Sequence, residues 1–154
     1  VKFKGMQIAM DLYNCDGDII DSKDAVKKII EDAAKRHTMK KIAIYYNQDP
    51  NSNDYSYLMP CYYGHINLHV FPDLGFVAAD IFTVDEAANP EELVALIRKK
   101  LSPDKSKLTI LKRGDFGSVN DMKPRRKKQI RTMHRAKTAG AVLKKLVLRP
   151  KKKQ

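Results

Sequence analysis

Tryptophan is absent from this chain, cysteine occurs only twice, and no apolar run approaches the ~20 residues that a membrane-spanning helix needs. The first residues carry no signal-peptide pattern of basic, apolar and small-residue regions. Together these absences predict a soluble, cytoplasmic protein with no membrane span. Cys15 and Cys61 have no metal-type spacing, and two cysteines make no disulfide scaffold, so both are expected as free, mostly buried thiols. No internal repeat or low-complexity stretch interrupts the first three quarters of the sequence. The 154 residues suffice for one compact domain with a real core plus an extension.

What the sequence has in excess is positive charge, and all of it sits at one end. Residues 1–117 hold 16 Lys and Arg against 17 Asp and Glu, a net of −1, whereas residues 118–154 hold 14 against 1, a net of +13. The composition changes at Gly114-Asp115-Phe116-Gly117-Ser118, where glycines and a serine punctuate the chain. A domain over 1–117 and a basic C-terminal extension over 118–154 follow.

Within the domain the apolar period alternates between two and about 3.6. Met6, Ile8, Met10 and Leu12 share one face of a strand that runs to Tyr13, and Asn14 to Asp18 turns the chain. From Ser22, Ala25, Val26, Ile29, Ile30, Ala33 and Ala34 recur at helical spacing, with Asp21 or Ser22 able to cap. Lys41–Tyr46, Tyr57–Tyr63, His65–Phe71 and Phe76–Phe82 read as strands, with a polar loop after the first and a turn at Pro72–Gly75. Asn89-Pro90-Glu91-Glu92 gives a cap, a first-turn proline and two acids at the start of a second helix. Ser102-Pro103-Asp104 ends that helix, and Lys107–Lys112 returns as a strand. The predicted order is β-α-β-β-β-α-β: an α/β (α+β) two-layer sandwich, with a largely antiparallel sheet and both helices on one face.

The segment Tyr62-Tyr63-Gly64-His65-Ile66-Asn67-Leu68-His69-Val70-Phe71-Pro72-Asp73 resembles the self-processing stretch of the prokaryotic-type S-adenosylmethionine decarboxylases, roughly Glu-Ser-His-x-x-x-His-x-Trp-Pro-Glu. The resemblance runs from about Gly5 to Gly114, through Asp11–Asp16, Gly75–Thr83 and Lys112-Arg113-Gly114. It implies the same two-layer fold, a dimer, and a serine that attacks the preceding carbonyl. The ester then eliminates, the chain breaks, and the new N-terminus becomes a pyruvoyl cofactor that serves as electron sink for decarboxylation. His65 and His69 match the pattern, and the resemblance gives His69 a part in chain cleavage. Tyr63 stands where the family has Glu, Gly64 where it has Ser, and Val84 where it has a proton-moving Cys. Gly64 has no side-chain oxygen, so no pyruvoyl group can form from it. The catalytic positions Gly64, His69 and Val84 therefore read as vestigial, with no cofactor expected. Cys61 lies three residues before the processing position and is a poor substitute nucleophile.

On an extended strand His65, Asn67 and His69 share one face, and four residues at ~3.3 Å put the imidazoles about 13 Å apart. Two ligands of one zinc must both reach within ~2.1 Å of it, so no metal is expected. His65, Phe71 and Asp73 remain as vestigial ligand-binding candidates: Phe71 to stack on a flat ligand, Asp73 to take a ribose hydroxyl or an amine. Packing is the commoner use of an aromatic beside a turn. The loop Asn47–Asp54 carries amides and acids where the resembled family has aromatics near its substrate.

The extension carries Lys123, Arg125, Arg126, Lys127, Lys128, Arg131, Arg135, Lys137, Lys144, Lys145, Arg149, Lys151, Lys152 and Lys153. Ile130, Met133, Ala136, Ala139, Leu143, Leu146 and Val147 recur among them at helical steps, predicting a basic amphipathic helix. Such density is best neutralised by polyanion phosphates. The extension has no aromatic to stack on single-stranded bases, which favours structured RNA such as rRNA. A solvated tail is the plain alternative, and a membrane-surface helix without Trp or Phe ranks below both.

The favoured reading is a pseudoenzyme repurposed as an RNA-binding component of a ribosome or other ribonucleoprotein. The alternative is a pyruvoyl-dependent decarboxylase of polyamine (spermidine) biosynthesis, or an inactive subunit that pairs with one.

Overall fold

The computed structural model describes residues 3–85 and 87–117. The predicted helix of the basic extension, and every candidate RNA contact on it, lies outside them.

Alternation at the start of the chain yields β1 (Gly5–Tyr13), with Ile8, Met10 and Leu12 buried on one face. The expected turn holds a one-turn helix, α1 (Gly17–Ile20), because the Asp16 carboxylate accepts from the Asp18 amide at 3.0 Å and starts it. Ser22 rather than Asp21 caps α2 (Lys23–Arg36), its hydroxyl accepting from the Ala25 amide at 3.3 Å. The other long helix, α3 (Pro90–Leu101), begins as the sequence suggests: Asn89 accepts from the Glu92 amide at 3.2 Å and Pro90 fills the first turn. Ser102, in the left-handed region with φ 49°, closes it.

The remaining strands are β2 (Tyr45–Gln48), β3 (Tyr55–Cys61), β4 (Gly64–Phe71), β5 (Phe76–Thr83) and β6 (Lys105–Arg113). The six strands of the described residues form one sheet in the order β2-β3-β4-β5-β1-β6, every neighbour antiparallel. Four strands separate the two long helices, matching the four strand segments read individually from the sequence and one more than the order β-α-β-β-β-α-β writes, and the architecture stands. Pro72–Leu74 is a 3-10 turn ended by Gly75 at φ 60°, a backbone region that a glycine enters without strain.

The expected strand over Lys41–Tyr46 starts late. Tyr45 pairs with Leu58, yet Lys41 bridges Cys61, so the register steps by one residue and residues 42–44 bulge. The Ile42 amide donates to the Pro60 carbonyl at 2.9 Å, but Pro60 has no N–H to return, so the regular ladder breaks there and pairing resumes only as the Lys41–Cys61 bridge.

One side of the sheet is the core. Ile66, Leu68 and Val70 of β4, Val77 and Ile81 of β5, Val26 and Ile30 of α2, and Leu93 and Ile97 of α3 are all fully buried in a single cluster. Each large aliphatic side chain so placed stabilises by about 1.5–3 kcal/mol. Two buried tyrosines fasten sheet to helices through their hydroxyls: Tyr55 donates to the Ile20 carbonyl at 2.5 Å and Tyr57 to that of Lys23 at 2.9 Å. The other side of the sheet is uncovered by any helix of the described residues and carries the odd-numbered half of the β4 alternation.

Candidate functional site

The hairpin between β3 and β4 is as tight as a two-residue turn allows. Cys61 pairs with Gly64 across Tyr62-Tyr63, both of which are 60% exposed. Gly64 is then zipped to Thr83 of β5, and the Val84 amide donates to the Tyr63 carbonyl at 2.8 Å. Sequence positions 63, 64 and 84 are thus brought together, although twenty residues separate the last two.

Position 64 offers no hydroxyl, and it offers no space either. A Cβ built on Gly64 would lie 1.8 Å from the Phe82 carbonyl oxygen, 2.8 Å from its carbon and 2.9 Å from the Thr83 Cα. The residues present therefore do not fit a pyruvoyl group, whose methyl carbon would have to come from that Cβ. The crevice beside it, lined by Met39, Lys40, Cys61, Tyr63, Thr83 and Asp85, is too narrow to hold a water molecule. A wider cleft of about 240 Å³ opens nearby, lined by Phe3, Lys4, Met6, Thr83, Val84 and Asp85 among others. Among the described residues no substitute nucleophile stands ready beside Gly64. The Cys61 thiol is buried, donates to the Met59 carbonyl at 3.7 Å, and burial raises its pKa, which keeps it protonated. The Thr83 hydroxyl is buried and accepts from the Asp85 amide at 3.0 Å.

The two histidines lie on the open face, as their spacing predicts, but in different surroundings. His65 stands 3.0 Å from Asp80 Oδ2, while Gln7 Nε2 donates to Asp80 Oδ1 at 2.9 Å. Arg113 in turn donates to Gln7, so a polar chain crosses four adjacent strands from β6 to β4. Gln7 and Asp80 have no place in the sequence-based site. Their one legible signal is that both are polar residues at outward positions of alternating strands. His69 is exposed, flanked by Ser56 of β3 and Ala78 of β5.

Phe71 and Asp73 belong to the far end of β4. Phe71 stacks on Phe76 with centroids 5.6 Å apart, and Phe76 meets Tyr13 at 5.2 Å. Asp73 accepts from Asn53 of the polar loop at 3.2 Å. His65 and Phe71 are six steps apart on the extended strand, about 20 Å at ~3.3 Å each, so these candidates lie toward opposite ends of β4.

Three comparisons with known proteins agree on what this framework resembles. Residues 6–114 match the family described as S-adenosylmethionine decarboxylase. The S-adenosylmethionine decarboxylase proenzyme of Methanococcus aeolicus is 32% identical over 116 residues, which span 75% of this chain and 98% of the relative. That of Clostridium kluyveri is 29% identical over 120 residues, 77% and 94% of the two chains. The crystal structure of the adenosylmethionine decarboxylase from Aquifex aeolicus superposes with a TM-score of 0.69 at 25% identity, covering 75% of this chain and 95% of that one.

Proposed function

The chain belongs to the S-adenosylmethionine decarboxylase family, and from that premise we propose that it is a member that does not cleave itself and acts in the cytoplasm by binding rather than catalysis. The observation that carries this reading is position 64, where the attacking oxygen would have to stand and glycine supplies only hydrogen. Val84, one residue past the end of β5, supports it, since an aliphatic side chain moves no protons. Intact mass of the purified full chain tests it. A single uncut species that does not react with carbonyl reagents at a new N-terminus is expected, and two fragments overturn the proposal.

The bound partner in this reading is RNA, engaged through phosphates by the basic residues 118–154. Net charge is the support: +13 over those 37 residues against −1 over the rest. Full-length protein is expected to bind duplex or ribosomal RNA at low salt. If roughly 6–10 cations meet phosphates, affinity falls about 10³–10⁵-fold between 50 and 200 mM salt. Absence of binding at low salt defeats this part of the reading.

A second reading is favoured by the open face of the sheet and by the near-complete span of the decarboxylase relatives. Tyr45, Leu58 and Leu111 are 61%, 41% and 47% exposed there, large apolar groups that a second sheet would cover. In this reading the chain pairs with another copy or with an active decarboxylase, whose polyamine-forming activity it regulates. Co-purification of a second decarboxylase chain with raised activity supports pairing with an active partner, and a lone homodimer counts against it. A decarboxylase activity intrinsic to this chain would require a cofactor from a source other than Gly64.

A further inference from the structure

We infer that the β4–β5 seam has closed over position 64, so that Gly64 is now a structural glycine and a serine restored there would not cleave the chain. This extends the proposed function from a missing oxygen to a backbone that no longer admits one.

The three atoms that crowd a Cβ at Gly64, at 1.8, 2.8 and 2.9 Å, all belong to the backbone of Phe82 and Thr83. No change of rotamer moves a backbone carbonyl. Other glycines are less crowded: a Cβ at Gly5 comes no nearer than 2.9 Å to the Phe82 ring, a side chain that can turn, and 3.0 Å to the Thr83 carbonyl oxygen, and one at Gly17 meets nothing within 4 Å.

Nor is β5 free to withdraw. On its other side Phe82 pairs with Gln7 and Thr83 with Met6 of β1, and β1 is held in turn by the full length of β6. The hairpin end is held as well, by the 2.8 Å bond from the Val84 amide to the Tyr63 carbonyl. That carbonyl is the group a residue-64 oxygen would attack, and the attacking oxygen must hang from a Cβ that has no room.

The test uses the full chain as Gly64→Ser, Gly64→Ala, and Gly64→Ser combined with Tyr63→Glu and Val84→Cys, which restores all three family residues. Gly17→Ala serves as control. Intact mass should give one uncut chain for every variant. Gly64→Ser and Gly64→Ala should melt lower than wild type by at least about 5 °C and by similar amounts, since the Cβ and not the hydroxyl causes the clash, while Gly17→Ala stays within about 2 °C. Should the Gly64 variants accumulate only as insoluble chain beside soluble Gly17→Ala, the clash is supported, and the mass of the denatured material still reads cleavage. Two fragments from either serine variant, or Gly64 variants that melt with wild type, overturn the inference. Cleavage of a serine variant with wild type uncut leaves the proposed function standing; cleavage of wild type defeats that reading instead.

Discussion

His65 Nε2 lies 3.0 Å from the Asp80 carboxylate across the β4–β5 ladder, with Gln7 on that carboxylate's other oxygen at 2.9 Å. The side chains of His65 and Asp80 are 35% and 40% exposed, so water screens the pair and its worth is small. Asp80→Ala should cost no more than about 1 kcal/mol in urea unfolding. A loss above about 2 kcal/mol would mean that the open face is dry in solution, covered by another surface.

A covered open face makes its own prediction. If two copies stack their sheets, full-length protein sediments as a dimer and Leu58→Asp shifts it to monomer while leaving its circular dichroism unchanged, because Leu58 points away from the core. A wild-type monomer at all concentrations would rule out self-pairing through this face.

The core side is where substitutions should be severe. Leu68 is fully buried at the centre of β4, and Leu68→Ala should cost about 2–5 kcal/mol. Leu74→Ala is the comparison: its side chain is 72% exposed, and the change should stay within about 0.5 kcal/mol. Chemical denaturation of both variants checks the pair.

Much of this is legible in the sequence, because binary pattern reports burial. The alternation of Ile8, Met10 and Leu12, and of Ile66, Leu68 and Val70, identifies inward faces directly, and Asn89-Pro90 marks a helix start whose cap is local chemistry. Lys41–Tyr46 misled because its β propensity is real, while the obstacle, Pro60 and its missing N–H, sits on a strand that sequence does not show to be its neighbour. The candidate site divides in the same way. That Gly64 lacks an oxygen is written in the sequence, whereas the contact with the Phe82 carbonyl depends on strand pairing over eighteen residues. Asp80 was invisible as a partner of His65 for the same reason. Phe71 and Asp73 sat close to His65 in sequence but at the opposite end of an extended strand.

Alkaline pH should weaken the fold. Burial pushes the Cys15 thiol up to about 11 from its ordinary 9.0, and burial likewise raises Cys61 and the Tyr55 and Tyr57 hydroxyls. Between pH 9 and 11 the folded chain keeps the Cys15 proton while the unfolded chain has released it, so the contribution is intact below about pH 9 and is lost as pH rises through 11. Urea midpoints should fall over that window, and Cys15→Ala should reduce the fall. A midpoint that climbs above pH 9 would reverse the assigned sign.

The most direct measurement is the intact mass of the untagged wild-type chain, read beside its reactivity toward a carbonyl reagent. A single species spanning all 154 residues, inert to the reagent, is what a glycine at position 64 predicts. Two fragments divided between Tyr63 and Gly64, the second opening on a reactive ketone, would contradict it.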